Sequence, residues 1–227
     1  MKEELFPFVE KNYKADDKNR TLVGCSLGGL FSMYTLFTHP DLFTNYVAAS
    51  PAYGWANESL YQYAEKYFSA KSNPPARLFM CVGGVERSVP GFEKLSKFLT
   101  DKNSPSLEIQ SRVLENTGHS GTKGEGFARG LQFSFKRPSL KLSDAQLKKY
   151  EGNYKMTNGT IVEVKAENGQ LVALAGNNKY QMNAASDKDF YSTSEFLNVH
   201  FTRDNDQNII GFRLERYGST EFVTKNK

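Results

Sequence analysis

Residues 20–40 read RTLVGCSLGGLFSMYTLFTHP, and this stretch decides the fold. Arg20–Gly24 is a short apolar run that ends in glycine, the pattern of a buried strand. Leu27–Phe37 follows, with Leu27, Leu30, Phe31, Met33, Tyr34, Leu36 and Phe37 apolar almost all round. That distribution predicts a helix buried on most sides, ended by His39-Pro40. Between strand and helix, Gly24-Cys25-Ser26-Leu27-Gly28 fits G-x-S-x-G. In a nucleophile elbow the serine sits on a strained turn that lifts its hydroxyl clear of the sheet. Glycines two before and two after it let backbone and helix approach without Cβ clashes. The N–H of Leu27, at the helix start, is then an oxyanion donor assisted by the helix dipole. The competing reading is a tight βα turn with an inert serine.

Outward from the elbow the same rhythm continues. Tyr46–Ala49 reads as a strand and Glu58–Phe68 as a helix. Leu78–Val82 (LFMCV) is a continuous apolar strand stopped by Gly83-Gly84. Phe92, Leu95 and Leu99 mark one helix face, Leu107–Leu114 is a further strand, and Phe127, Leu131 and Phe135 mark a last helix. Alternating strands and helices with apolar strand runs imply a parallel sheet covered on both faces, an α/β unit over residues 1–136. The rhythm breaks at KRPSLKLSDAQ, so 137–148 is expected to be a linker. Over 149–227 no helical period is evident. Thr160–Lys165, Leu171–Leu174, Leu197–Phe201 and Ile210–Leu214 alternate as strands, with turn signals at Asn168-Gly169 and Asp204–Asn208. Leu197, Val199 and Phe201 share one face of their strand. A small antiparallel all-β domain with a one-sided core is expected.

His119 lies in Asn116-Thr117-Gly118-His119-Ser120-Gly121, after a strand and before a helix. A glycine-flanked loop at the C-terminal edge of a parallel sheet is where a general base belongs. His39, at a helix end, and His200, off the apolar face of its strand, have no such context. The acid is read as Glu86, which follows the strand before the histidine strand. The order Ser26, Glu86, His119 is that of α/β-hydrolases. Glu93 sits inside a helix pattern, and Glu115 comes too early on the histidine strand. A dyad without an acid is the alternative.

Composition narrows the class. The chain is 39% hydrophobic and 24% charged, with a net charge of +4, and its Lys and Arg are dispersed. No nucleic-acid partner is expected. No apolar run reaches about 18 residues, so no membrane partner is expected either. Cys25 and Cys81 lie in apolar, strand-like surroundings and are expected as buried free thiols. No His/Cys/Asp group has metal-ligand spacing, and no cofactor is expected. The N-terminus MKEELFPFVEKNY is not a signal peptide, so the bare sequence points to the cytoplasm. A leader on a preceding segment would change that address to the periplasm or the exterior.

The stretch EELFPFVEKNYK…NRTLVGCSLGGLFSMYTLFTHPDLFTNYVAASPAYGW resembles the "putative esterase" family of α/β-hydrolases. This family includes esterase D, feruloyl and acetyl-xylan esterases and siderophore esterases, and the similarity is greatest to the siderophore-esterase-like branch. It covers roughly residues 1–136. The resemblance implies Ser26 as nucleophile, His119 as base and Glu86, less firmly, as acid. It implies a substrate pocket walled by Cys25, Ser50, Pro51 and Trp55, with a purely structural Trp55 as the alternative. The tail, LKKYEGNYKM…GTIVEVKAENGQLVAL, resembles small β-rich accessory domains appended to bacterial serine hydrolases and penicillin-binding-protein-like enzymes.

The resemblance also implies a departure. Family members carry about half a domain before the segment that opens this chain, including the loop that gives the second oxyanion N–H. A partial three-layer α/β-hydrolase sheet is therefore expected, with the serine strand open on one side. An open apolar edge invites pairing, so a homo-oligomer or swap covering it is expected. The expected function is hydrolysis of a carboxylic ester through an acyl-enzyme, on a small-molecule or carbohydrate ester. Tyr34, Tyr53 and Trp55 would favour an aromatic or sugar-bearing group. The alternatives are a truncated, weakly active or inactive hydrolase that binds or oligomerises, and acyl transfer to an acceptor other than water.

Overall fold

The computed structural model describes residues 1–226. The chain divides into two compact units, Met1–Lys136 and Arg137–Lys227.

In the first unit, α1 (Leu5–Asn12) precedes β1 (Thr21–Cys25), α2 (Leu27–Thr38) and β2 (Asn45–Ala49). A short turn, α3 (Trp55–Glu58), has Ala56 and Asn57 in left-handed conformations. Then come α4 (Leu60–Phe68), β3 (Ala76–Gly83), α5 (Val89–Asp101), β4 (Leu107–Leu114) and α6 (Thr122–Ser134). The four strands are parallel in the order β1-β2-β3-β4. Because the order advances one way, right-handed crossovers put α2, α4 and α5 on one face. There Met33, Leu36, Leu60, Ala64, Phe92 and Leu95 pack on Tyr46, Ala48, Leu78 and Met80. The alternate side chains Val47, Ala49, Phe79 and Cys81 face the other way, toward Phe133 of α6. Strand periodicity thus divides β2 and β3 between two cores and makes three layers. Among the described residues β1 pairs only with β2, so the serine strand has one free side.

Two helix faces depart from expectation. Leu27, Phe31 and Tyr34 form an exposed stripe on α2, so that helix is buried on one side rather than most. On α6, Leu131 and Phe135 are exposed, and the buried face is carried by Gly126, Gly130 and Phe133. A Cβ at Gly126 would lie 2.6 Å from Cys81 Sγ, and one at Gly130 would lie 2.4 Å from Val47 Cγ1. Absent side chains, invisible to a hydrophobic period, let α6 lie against the sheet. Cys25 and Cys81 are free. Both register with Ala49, on opposite sides of β2. Two strand spacings, about 10 Å, separate them, beyond disulfide reach.

The second unit is a closed eight-stranded barrel rather than a sheet with a one-sided core. Its strands are β5 (Gly152–Lys155), β6 (Ile161–Glu167), β7 (Gln170–Ala175), β8 (Asn178–Ala184), β9 (Asp189–Ser192), β10 (Leu197–Arg203), β11 (Ile209–Arg216) and β12 (Ser219–Lys225). Each pairs antiparallel with the next. β12 returns to β5 through two register pairs, Thr224–Lys155 and Lys225–Tyr154. Closure abolishes the edges an open sheet would expose. Leu197, Val199 and Phe201 point inward as expected. The expected linker 137–148 belongs to this unit. Leu140 bridges to Ala184. Ser143 and Gln146 form a capping box on α7 (Asp144–Leu147), which runs into a 3-10 turn at Lys148–Tyr150 and buries Leu147. Two polar side chains satisfying the helix start, and one leucine inside, are enough to order a segment whose composition reads as linker.

At one end of the barrel Tyr150, Tyr154, Phe190, Phe201 and Phe212 form a cluster with ring centroids 4.7–6.0 Å apart. Phe201 touches four of these rings and is 2% exposed. Phe201→Ala is expected to destabilise the chain by about 3–5 kcal/mol, read from urea denaturation followed by far-ultraviolet circular dichroism.

Candidate active site

The elbow forms because of one steric fact. A Cβ at Gly24 would lie 2.1 Å from the carbonyl oxygen of Gly28, whereas one at Gly28 would meet nothing within 4 Å. Only the first glycine of the motif is required for the approach of strand and helix. Ser26 is held at φ 58°, ψ −118°, a conformation costly for a residue with a Cβ. It is locked by its own backbone: its N–H donates to Ala49 O, and its carbonyl accepts from Leu30 and Ala52. Leu27 is the first residue of α2, so its N–H has no acceptor within the helix. The positive end of the helix dipole lies at this N–H.

Glu86 and His119 occupy the loops after neighbouring strands β3 and β4. Their side chains meet, Glu86 Oε2 to His119 Nδ1, at 2.7 Å. A carboxylate on Nδ1 places the proton there and leaves Nε2 as acceptor. The carboxylate is 11% exposed and the imidazole 51%. Glu86 Oε1 accepts from Ser50 Oγ at 2.5 Å and from the Gly83 N–H at 2.8 Å. Burial pushes the Glu86 carboxyl up, but the hydrogen bonds from Ser50, His119 and Gly83 outweigh it and hold the group below the usual carboxylate range. Among the described residues no hydrogen bond joins His119 to Ser26. Such contacts in unliganded hydrolases commonly tighten only with substrate.

Other expected site residues fall differently. Ser50 is buried under Glu86 rather than walling a pocket. It sits at φ 40°, and its N–H donates to Cys81 O. Thr122, which the sequence did not single out, lies beside it. Its Oγ1 lies 3.2 Å from Ser50 Oγ and donates to His119 O at 2.8 Å. Pro51 is buried, and Cys25 packs toward the α6 side of the sheet. Cys81 is buried, and burial pushes its thiol up to about 12. Tyr53 donates its hydroxyl to Ser88 O at 2.9 Å. Trp55 does line a groove of about 330 Å³, with Leu27, Phe31, Tyr34 and Tyr63. Its floor is the exposed stripe of α2 that starts beside Ser26. Phe31 and Tyr63 were legible as hydrophobic residues, but nothing in their spacing distinguishes a groove from a core. Outside the site, His200 Nδ1 contacts Asp189 at 2.6 Å on the barrel. The described residues contain no group that could hold a metal ion, and no helix is long and apolar enough to cross a membrane.

Comparison with known proteins gives the same region a family. A model described as "Putative esterase" matches residues 1–125, and one described as "Domain of unknown function (DUF3471)" matches residues 136–226. Ferri-bacillibactin esterase BesA of Bacillus subtilis is 35% identical over 89 residues, 38% of this chain and 31% of that protein. The siderophore enterobactin esterase of Emericella nidulans is 45% identical over 65 residues, 28% of this chain and 22% of that protein. The crystal structure of the BES protein from Bacillus cereus, 34% identical, superposes with a TM-score of 0.54 over 58% of this chain and 51% of that one. An IroE-like serine hydrolase from Shewanella oneidensis, 21% identical with a TM-score of 0.54, shares the fold over 65% of this chain and 50% of that one. The chain thus spans about half the length of these solved relatives and about a third or less of the curated ones. With more than half of its residues matched by one family model, the chain belongs to the putative esterase family.

Proposed function

We propose that this chain is a serine hydrolase of carboxylic esters that works through an acyl-enzyme. The observation that carries the reading is the 2.7 Å contact of Glu86 with His119 Nδ1, in a sheet whose strained Ser26 heads α2. Ser26 Oγ attacks the ester carbonyl carbon while His119 Nε2 takes the hydroxyl proton. The Leu27 N–H receives the developing oxyanion. His119 then gives the proton to the departing alkoxide, which leaves as the alcohol. Water repeats the cycle on the acyl-enzyme, releasing a carboxylic acid and restoring Ser26. Glu86 orients the imidazole and stabilises its charged form. The aromatic groove beside Leu27 supports an ester with a flat or ring-bearing group, and the names of the relatives make siderophore esters the first class to try, with carbohydrate esters next.

Hydrolysis of p-nitrophenyl acetate and butyrate tests the mechanism. Ser26→Ala and His119→Ala are each expected to lower turnover by on the order of 10³-fold or more. Turnover equal to wild type in either variant would sink the reading. A folded wild type with no turnover above the Ser26→Ala background would favour the binding alternative. Glu86→Gln, which keeps the shape but loses the charge, is expected to lower kcat by up to about 10⁴-fold.

The depressed Glu86 carboxyl also has a stability signature. A group whose folded value lies below its unfolded one stabilises the fold above the unfolded value, here 4.5. That contribution disappears as pH falls through the lower, folded value. The melting temperature of wild type is therefore expected to exceed that of Glu86→Gln at neutral pH, with the gap closing on acidification below pH 4.5. Ser50→Ala, which removes a donor from Glu86 Oε1, is expected to cost about 1–3 kcal/mol and to move the onset of acid destabilisation upward. A pH-independent gap between wild type and Glu86→Gln would contradict this account.

A further inference from the structure

The barrel is filled at one end and hollow at the other. Inward positions recur at every second residue along strands such as β6 and β10, but the side chains are unevenly sized. The five-ring cluster around Phe201 closes one end. Toward the other end the inward residues are Val162, Ala173, Ala175, Leu197 and Val199, and they leave an apolar cavity of about 60 Å³. An eight-stranded barrel is the size at which side chains either just fill the interior or leave room for one small ligand. At about 10–15 Å³ for each water-sized unit, this space takes roughly four to six such units, a short chain rather than a long one.

One polar residue lines that cavity in a way packing does not explain. Arg216 ends β11 on the inward parity of Phe212 and Leu214, opposite Leu197. Its Nε is buried and has no hydrogen-bond partner. Its Nη2 lies 3.7 Å from Glu195 Oε2, a long and partly exposed ion pair. Glu195 is itself bonded by the hydroxyl of Tyr217, whose ring lies beneath the guanidinium. A buried N–H left unpaired is unfavourable, and a long pair at the surface does little to compensate. The Nε and Nη2 edge of a guanidinium matches a carboxylate bidentately.

We propose that the barrel binds a short-chain aliphatic monocarboxylate, with its chain in the Val162–Ala173–Val199 cavity and its carboxylate on Arg216 Nε and Nη2, displacing Glu195. The site lies in the second unit and does not depend on the hydrolase reading. Outward-facing Arg213, on the same strand and paired with Glu215 at 3.3 Å, is the natural control.

The test is titration of the full 227-residue chain with hexanoate and hexan-1-ol by calorimetry, with intermolecular NOEs read at assigned methyl groups. Hexanoate is expected to bind saturably at one per chain, with NOEs to the methyls of Met182 and Val199. Arg216→Gln is expected to weaken it by about tenfold or more, and hexan-1-ol to bind wild type weaker by a similar factor, as a charge-assisted bidentate pair requires. Arg213→Gln is expected to leave affinity unchanged, and Ala173→Leu to reduce it by filling the cavity. No saturable binding, NOEs only to residues of Met1–Lys136, or equal affinities for acid, alcohol and the Arg216→Gln variant would each overturn the proposal. If Ala173→Leu does not fold, the NOE pattern and the Arg216→Gln comparison decide it alone.

Discussion

The first unit depends on the absence of one methyl group. Gly24 brings the end of β1 so near the backbone of Gly28 that no Cβ fits between them. From that approach follow the sharp entry into α2 and the strained φ of Ser26. The strain persists because the backbone hydrogen bonds to Ala49, Leu30 and Ala52 leave Ser26 no alternative. Sterics at a buried glycine set the geometry of the turn.

The Glu86–His119 pair is built on a different physical basis. Glu86 is mostly removed from water, a setting that opposes its charge, and three donors oppose that effect. Ser50 is the keystone of the arrangement. It holds Glu86 from below, and Thr122 ties Ser50 to the backbone carbonyl of His119. Three loops, after β2, β3 and β4, are thereby joined through side chains. The histidine, half exposed, is steadied through groups that are not.

What the sequence disclosed follows from where periodicity carries information. Apolar runs such as Leu78–Val82 and the elbow motif announced parallel strands and a serine turn, and the loop positions of Glu86 and His119 followed from chain order. The Ser50 support did not show, because a serine before a proline looks the same whether it walls a pocket or props a carboxylate. The buried face of α6 was not marked, because its contact is made by Gly126 and Gly130, which carry no hydrophobic signal. In the second unit, β5, β8, β9 and β12 were not marked. GNYK, NKYQMNA and STEFVTK are mostly polar and become strands only because a closed barrel supplies partners on both sides. Tertiary closure overrides weak local preference there.

That closure also sets an order of events. Every pairing in the barrel except one joins strands adjacent in the chain, so each can form as a local hairpin with little loop entropy to overcome. The exception is the seam of β5 with β12, which must bring together the two ends of the unit and, like the local β8–β9 pairing, is held by two register pairs. The seam is thus the last part of the cylinder to zip and the first through which it relaxes. Amide protons of the seam pairs between β5 and β12 are therefore expected to exchange ahead of those between β10 and β11, which are paired over seven residues.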